Sequence, residues 1–451
     1  MDQKIIEATG QLNHFDAGEG KARRIAFKTL GCRLNQYETD ALVSDFDKAG
    51  YEVVDFKEQA DVVVVNTCTV TNQSDQKSRN MISQAARNNS GSVVVVTGCM
   101  ANHYKEKLEG ENKITYVVEN NRKGSILNLV DAHFGGEILH PEKLEADVFH
   151  FNPVDKSLHT RSAIKIQDGC DNFCTFCIIP TVRGRAVSRP LPQIIENVQQ
   201  TLSNGFKELV ITGVNIGRYE WEGKSFEDVL EAILAVPGDF RIRISSLEPD
   251  GFGDRFYDLF DHPKLAPHLH LCLQSGSDKV LLRMRRMYDF NRFKTIVERF
   301  RAKYPGFNFT TDLIVGFPGE TEEDVQESID AVNKFGFGHV HTFKYSVRKG
   351  TRAERMDGQV PEKLKNERSA RVRLASETNR EKYLSSLIGN VQTVLIETID
   401  QKGYAAGYGE HYVPVRFKAS GLQKNTFHKV ILKKIEGKGE HARLTGELIA
   451  L

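Results

Sequence analysis

The chain has 451 residues, 40% of them hydrophobic and 27% charged, with 61 Lys and Arg against 60 Asp and Glu for a formal net charge of +1. That length carries two or three domains, each with its own core, and the balance excludes a disordered or strongly charged chain. No apolar run approaches the ~20 residues that cross a bilayer, and the near-neutral total gives no hint of a nucleic-acid partner, though a whole-chain figure averages over domains that differ.

The first twenty residues lack the basic start and continuous apolar stretch of a secretory signal. They read as a frayed leader, and the protein as cytoplasmic. Thiols stay reduced in that compartment, so seven cysteines do not read as a disulfide framework.

From Arg24 to about Phe134 strand and helix patterns alternate: IAFKTL, QYETDALVSDFDKAG, DVVVVN, DQKSRNMISQAARN and VVVVTG. Continuous Val/Ile runs between amphipathic stretches predict a parallel sheet covered on both faces, a doubly wound α/β domain over 22–136. Gly135, Gly136, Pro141 and Pro153 mark a linker up to about His159.

From Thr160 to about Gly350 the apolar runs AIKIQ, ELVITGV, RIRISS, LHLCLQ, FTTDLIVGF and HVHTFKY recur at βα-like intervals. They predict a full or partial parallel (β/α) barrel with its chemistry at the carboxyl ends of the strands. With the charged helical stretch from Glu362 to about Leu387, this domain spans 156–386. The remainder, 387–451, alternates apolar and polar residues between Gly-rich turns, as in a small antiparallel β-barrel. From Pro361 onward there are 16 Lys and Arg against 10 Asp and Glu, a basic bias that fits a solvated surface and an RNA contact equally well.

The chemistry lies in the cysteines. In IQDGCDNFCTFCIIP, just after the first predicted barrel strand, Cys170, Cys174 and Cys177 are spaced Cys-x3-Cys-x2-Cys. Three thiolates on a short loop hold three irons of a [4Fe–4S] cube and leave one iron without a protein ligand. That iron is able to chelate the amino and carboxylate groups of S-adenosylmethionine and deliver an electron to its sulfonium, releasing a 5′-deoxyadenosyl radical. A structural zinc site is the competing reading, but zinc wants four protein ligands and no second CxxC or HxxxH pair completes it.

A second constellation is more dispersed. Cys32 follows IAFKTLG, Cys68 follows DVVVVNT and Cys99 follows VVVVTG, so each lies near the carboxyl end of a predicted parallel strand. Parallel strands bring those ends to one edge, where doubly wound sheets bind ligands. Three buried structural cysteines are the alternative; convergence on one further cluster is the reading preferred here, again with an iron left open for sulfur.

Phe176, before the last cysteine of the loop, completes a run that resembles the radical S-adenosylmethionine superfamily. That resemblance implies that Phe176 lies beside the adenine, that the TGVN turn with Thr212, Gly213 and Asn215 meets the methionyl amino group, and that Gly316 flanks the adenine. The TGVN and Gly316 segments serve equally as tight turns at strand ends.

TLGCRLNQYETD, the NTC and TGC strand ends, the CDNFCTFC loop and the basic β-rich tail together resemble the methylthiotransferase family over nearly the whole chain. The resemblance implies two [4Fe–4S] clusters, one at Cys32, Cys68 and Cys99 and one at Cys170, Cys174 and Cys177, with S-adenosylmethionine giving both methyl group and radical. It also implies an RNA-gripping tail of the TRAM kind. GCRLNQYET is similar to the subgroup acting on N6-threonylcarbamoyladenosine at position 37 of transfer RNA, in the anticodon stem-loop. Relatives that act on isopentenyladenosine or on a ribosomal protein are the first alternatives; a non-enzymatic RNA-binding protein with structural or redox-sensing clusters is the other. The sulfur donor and the electron donor stay unidentified.

Other signals are set aside. Asp131, His133 and Gly136 match a cobalamin-binding DxHxxG pattern, but at the end of a helical run rather than after a first strand. GFPGET from Gly316 lacks the Gly-Lys-Ser/Thr of a phosphate loop. His262, His268, His270, His339 and His341 lack a matching carboxylate pattern and read as satisfied or exposed. Cys272 reads as a core thiol. Tyr404, Tyr408 and Tyr412 with Arg416 and Lys418 suit base stacking and a barrel rim equally.

Overall fold

The computed structural model describes residues 22–155, 160–419 and 421–449. The expected leader and the start of the 156–386 segment lie outside the described residues. Residues 22–69 and 73–152 form one compact unit, and 70–72 with those from 153 onward form another.

The first unit is a five-stranded parallel sheet of β1 (Arg24–Thr29), β2 (Glu52–Val54), β3 (Val62–Thr67), β4 (Val93–Gly98) and β5 (Tyr116–Val118), in the order β2-β1-β3-β4-β5. Four valines of β3 pair in register with four of β4, Val62 with Val93 through Val65 with Val96. Every residue of both strands is buried, the environment that favours unbroken β-branched runs. Alternate side chains leave the sheet on opposite faces. Val62, Val64, Val93 and Val95 meet Leu42, Val43 and Phe46 of α1 (Arg33–Lys48), while Val63, Val65, Val94 and Val96 meet Ile82 and Ala85 of α2 (Asn72–Asn88), Met100 and Ala101 of α3 (Cys99–His103) and Leu108 of α4 (Lys105–Glu109). Ile126, Leu129 and Val130 of α5 (Ile126–Phe134) complete the first face. The edge strands β2 and β5 carry no long apolar run and escape a sequence reading.

The second unit opens with β6 (Ser162–Lys165), the short antiparallel pair β7 (Gln167–Asp168) and β8 (Val187–Ser188), and α6 (Ile179–Val182) between that pair. Then follow α7 (Leu191–Ser203), β9 (Glu208–Thr212), α8 (Phe226–Leu234), β10 (Arg241–Ile244), β11 (Ser246–Leu247), α9 (Arg255–Asp258) and β12 (His268–Leu271). After these come α10 (Asp278–Arg283), α11 (Phe290–Lys303), β13 (Asn308–Val315), α12 (Glu322–Phe335), β14 (His339–Lys344) and α13 (Glu362–Ser386). The sheets β10-β9-β6 and β11-β12-β13-β14 are wholly parallel. Only Ser245 separates β10 from β11, so the two sheets continue one another as a partial barrel. Helix starts are written locally: Ser225 with Asp228 and Thr321 with Asp324 form capping boxes for α8 and α12.

The tail closes a five-stranded barrel, β15-β16-β17-β19-β18, from β15 (Val391–Ile399), β16 (Tyr404–Tyr408), β17 (Pro414–Lys418), β18 (Phe427–Glu436) and β19 (Arg443–Leu448). It departs from a purely antiparallel expectation in one pairing, since β17 and β19 run parallel. Val394, Ile396, Val415, Phe417, Val430 and Leu444 fill it.

Candidate active site

The loop with Cys170, Cys174 and Cys177 leaves the end of β7 and returns along β8. Asp168 anchors its root. The buried carboxylate pairs with Lys165 Nζ at 2.6 Å and accepts from Arg183 Nη1 at 2.9 Å and from its neighbour Gly169 N at 2.7 Å. Gly169 has φ +68° and passes so close to the Arg185 carbonyl that a Cβ would collide with it, hence glycine before Cys170.

Burial, with Cys174 and Cys170 adding, pushes the Cys177 thiol up to about 12. Donors point at two of them: Asn172 N and Asn215 Nδ2 reach Cys170 Sγ at 3.5 and 4.0 Å, and Arg286 Nη1 reaches Cys174 Sγ at 3.2 Å.

Gln167 ties this loop to the TGVN turn, its Oε1 accepting from Val214 N at 3.0 Å and Asn215 N at 2.8 Å. Gly213 passes where a Cβ would stand 2.7 Å from the Gln167 carbonyl. Thr212 is buried at the end of β9. Asn215 is also buried, and among the described residues its Oδ1 has no protein partner. Phe176 packs edge-on against Phe317, ring centroids 6.2 Å apart, and so lies next to Gly316, whose N–H donates to Glu320 Oε2 at 2.9 Å. Three thiols, N–H donors aimed at sulfur and a buried acceptor beside Cys170 fit a [4Fe–4S] cluster with S-adenosylmethionine on its fourth iron.

Arg286 escapes a sequence reading. Its guanidinium, 4% exposed, also pairs with Glu248 and donates from Nε to Tyr288 OH at 3.2 Å. Nothing in RMRRMYDF distinguishes it from its neighbours; only tertiary structure turns it inward.

In the first unit Thr29, Asn66 and Thr97 stand side by side on β1, β3 and β4, and Cys32, Cys68 and Cys99 follow within three residues. A Cβ on Gly31 would lie 3.0 Å from Cys68 Sγ, and one on Gly98 (φ +95°) would collide with the Thr67 carbonyl oxygen. The glycines before Cys32 and Cys99 are thus the means by which these strand ends approach Cys68. Cys32 is exposed, the other two buried. Asn120 Nδ2 lies 3.9 Å from Cys99 Sγ, and Ser78 Oγ bridges the Cys68 N–H and carbonyl at 3.2 and 2.9 Å. Beneath them Lys123 and Glu38, both fully buried, form an ion pair, and Lys123 Nζ also donates to Asn66 Oδ1 at 3.1 Å. Three thiols at one strand-end edge, with a donor near Cys99, fit a second cluster.

Several signals set aside on sequence resolve. Asp131 accepts from Tyr51 OH at 2.7 Å and His133 pairs with Tyr116 OH at 2.9 Å on α5, a structural use. Tyr408 and Tyr412 stack on one another at 4.8 Å, and Tyr412 packs on His268, leaving Tyr404 with Arg416. The histidines do have a carboxylate: Asp312 lies 3.3 Å from His270 Nε2. His262 stands apart from them, accepting at Nδ1 from Lys264 N.

A three-thiol loop at the head of a parallel partial barrel, with a glycine turn bound to it, defines a radical S-adenosylmethionine protein. Residues 164–332 match the Radical SAM superfamily and residues 24–119 match the Uncharacterized protein family UPF0004. In fold the chain is similar to the radical S-adenosylmethionine methyltransferase TsrM from Kitasatospora setae, with a TM-score of 0.52 and 17% identity, covering 72% of this chain and 75% of that one. In sequence it is 36% identical to the threonylcarbamoyladenosine tRNA methylthiotransferase MtaB of Thermotoga maritima, across 92% of this chain and 96% of that protein. To the protein of the same name from Bacillus subtilis it is 38% identical, across 91% and 93%. A tRNA-2-methylthio-N(6)-dimethylallyladenosine synthase of Fusobacterium nucleatum is 34% identical, across 84% and 89%. The chain belongs to the radical S-adenosylmethionine methylthiotransferase family. It is an enzyme whose cofactors are two [4Fe–4S] clusters and S-adenosylmethionine.

Proposed function

We propose that this enzyme converts N6-threonylcarbamoyladenosine at position 37 of transfer RNA to its 2-methylthio derivative, replacing the hydrogen on carbon 2 of the base by a methylthio group. The observation that carries this reading is identity of 36–38% over more than nine-tenths of the chain to relatives named for that base, in a chain with both thiol constellations. Among its described residues no helix is long and apolar enough to cross a membrane. The transfer RNA substrate puts the work in the cytoplasm.

In this reading Cys170, Cys174 and Cys177 hold the radical cluster, which when bound supplies the electron that splits S-adenosylmethionine. Asn215 Oδ1 accepts from the methionyl amino group, with Thr212 and Gly213 shaping the turn that holds it. Phe176 and Gly316 border the adenine, where an aromatic edge and a bare backbone fit a flat ring. Cys32, Cys68 and Cys99 hold the cluster that presents sulfur. The tail barrel grips the anticodon stem-loop through its basic surface.

The test is the nucleoside content of transfer RNA from a strain lacking the gene. Loss of 2-methylthio-N6-threonylcarbamoyladenosine, restored by the gene, is the expected result; unchanged content refutes the reading. Loss of the 2-methylthio isopentenyl nucleoside instead would move the enzyme to the neighbouring subgroup.

A further inference from the structure

Carbon 2 of a base stacked between its neighbours cannot meet a radical held inside a barrel, so the substrate base has to leave its stack. Once out, its flat ring needs a surface to lie on. The last strand of the barrel carries one.

β14 pairs in register with β13: Asp312 with His341, Leu313 with Thr342 and Ile314 with Phe343. Phe309 of β13 packs outward on Phe300 of α11, ring centroids 5.8 Å apart. Thr310, Asp312 and Ile314, of the opposite parity, therefore face the barrel interior, and their partners on β14 share that face. His341 shows it, with its ring 5.7 Å from that of His270, whose Nδ1 lies 3.0 Å from Thr310 Oγ1. Phe343, two residues further on, is on the same inner face and next to the carboxyl end of β14 (His339–Lys344), the end at which such barrels do their chemistry.

Its partner Ile314 shares a floor with Phe176. Both pack on the apolar cluster of Val280, Met284, Phe317, Tyr345 and Ala353. In the reading above Phe176 borders the adenine of S-adenosylmethionine, and the carbon that takes hydrogen from the substrate is on the ribose which that adenine carries. A reacting base thus comes to rest beside this floor, where Phe343 stands.

Phe343 is 46% exposed. Among the described residues Phe173 is the only other exposed phenylalanine, and its ring lies under the Arg185 guanidinium, 5.5 Å from the centroid. No aromatic ring or cation among the described residues covers Phe343. A half-bare ring on the inner wall, at the reacting end of a strand, is a platform for a flat ring that arrives from outside.

We propose that Phe343 stacks on the adenine ring of the substrate base and so fixes the plane in which carbon 2 is presented. The proposal rests on the transfer RNA reading given above and adds the residue that receives the base.

The experiment uses the full chain, anaerobically reconstituted, with an anticodon stem-loop RNA carrying N6-threonylcarbamoyladenosine. For Phe343→Ala, KM for the RNA and its Kd from fluorescence anisotropy are expected to rise about tenfold, the scale of one lost base–aromatic stack. KM for S-adenosylmethionine and iron content should stay at wild-type values. Phe343→Tyr, which keeps the ring, is expected to behave nearly as wild type; Phe343→Leu, which keeps apolar bulk without a flat face, should resemble the alanine variant. Unchanged RNA constants for Phe343→Ala, or full recovery by Phe343→Leu, overturns the proposal. So does a rise confined to KM for S-adenosylmethionine, which would set the ring against the cofactor. A wild-type enzyme that cleaves S-adenosylmethionine yet leaves this RNA unmodified overturns the substrate reading instead, and this proposal falls with it.

Discussion

Arg286 places a buried guanidinium N–H 3.2 Å from Cys174 Sγ. A positive charge and a hydrogen bond at a thiolate favour the more negative, reduced state of a cluster bound there. Glu248 and Tyr288 fix the guanidinium in place, so Arg286 is a positioning residue. Arg286→Gln should lower the midpoint potential of the radical cluster and slow 5′-deoxyadenosine formation by roughly 10–100-fold, the usual cost of losing a partner to a metal ligand. Redox titration followed by electron paramagnetic resonance checks it. An unchanged potential would show that the contact is only packing.

The two thiol sets should separate by function. Cys174→Ala is expected to abolish 5′-deoxyadenosine formation and reduce iron from about eight to about four per chain. Cys68→Ala should lose a similar amount of iron, keep some cleavage and give no methylthio product. Iron and sulfide analysis with Mössbauer spectra, beside product assays, distinguishes the sets; methylthio product from Cys68→Ala would remove the second set from the mechanism.

Lys123 and Glu38 form a buried pair beneath the strand-end cysteines. Removing one partner strands a charge, so Lys123→Ala should cost about 3–5 kcal/mol, whereas the double change Lys123→Met with Glu38→Gln should recover much of it. Denaturant unfolding of the three proteins measures this. Equal stability of the single and double variants would mean that the pair contributes no net coupling.

Much of this architecture is legible in the chain because burial on both faces writes itself as unbroken valine, as in Val62–Val65 and Val93–Val96. The cysteines are legible for a related reason: strand ends and a short loop fix their neighbours by local spacing. What escapes the sequence is what depends on distant partners. Gln167 lies outside the Cys-x3-Cys-x2-Cys run, yet it joins the loop to Asn215 across 48 residues. Asp312 gives His270 a carboxylate from another strand, which no spacing within LHLCLQ announces. β17 pairs parallel with β19 because barrel closure, not the alternating pattern, selects its neighbour.

The last prediction concerns how the tail barrel is held. Glu208 is fully buried between Arg241 and Arg243, accepting from their Nε atoms at 2.5 and 2.6 Å, and those arginines donate onward to tail carbonyls: Arg241 to Thr393 at 2.7 Å, Arg243 to Gly409 at 2.7 Å and Glu410 at 2.9 Å. Burial alone would raise the Glu208 carboxyl, but Arg243, Arg241 and Arg161 together outweigh it and hold the group down at about 2, against 4.5 when free. A carboxylate depressed in the folded state contributes stability that is complete above its unfolded value and fades as pH falls through its folded one. The contribution of Glu208 should therefore be intact above pH 4.5 and lost progressively toward pH 2. Glu208→Ala leaves two buried guanidinium groups uncompensated and should cost about 3–5 kcal/mol near neutral pH. The gap between wild type and variant should narrow as pH drops through that window. Trp221, the single tryptophan, lies in the same unit and reports its unfolding in denaturant. Limited proteolysis should also cut the variant sooner between α13 and β15, where the tail barrel is released once its arginine clamp loosens. A gap independent of pH from 5 to 2 would show that Glu208 shapes the strand ends sterically and that its charge carries none of the attachment.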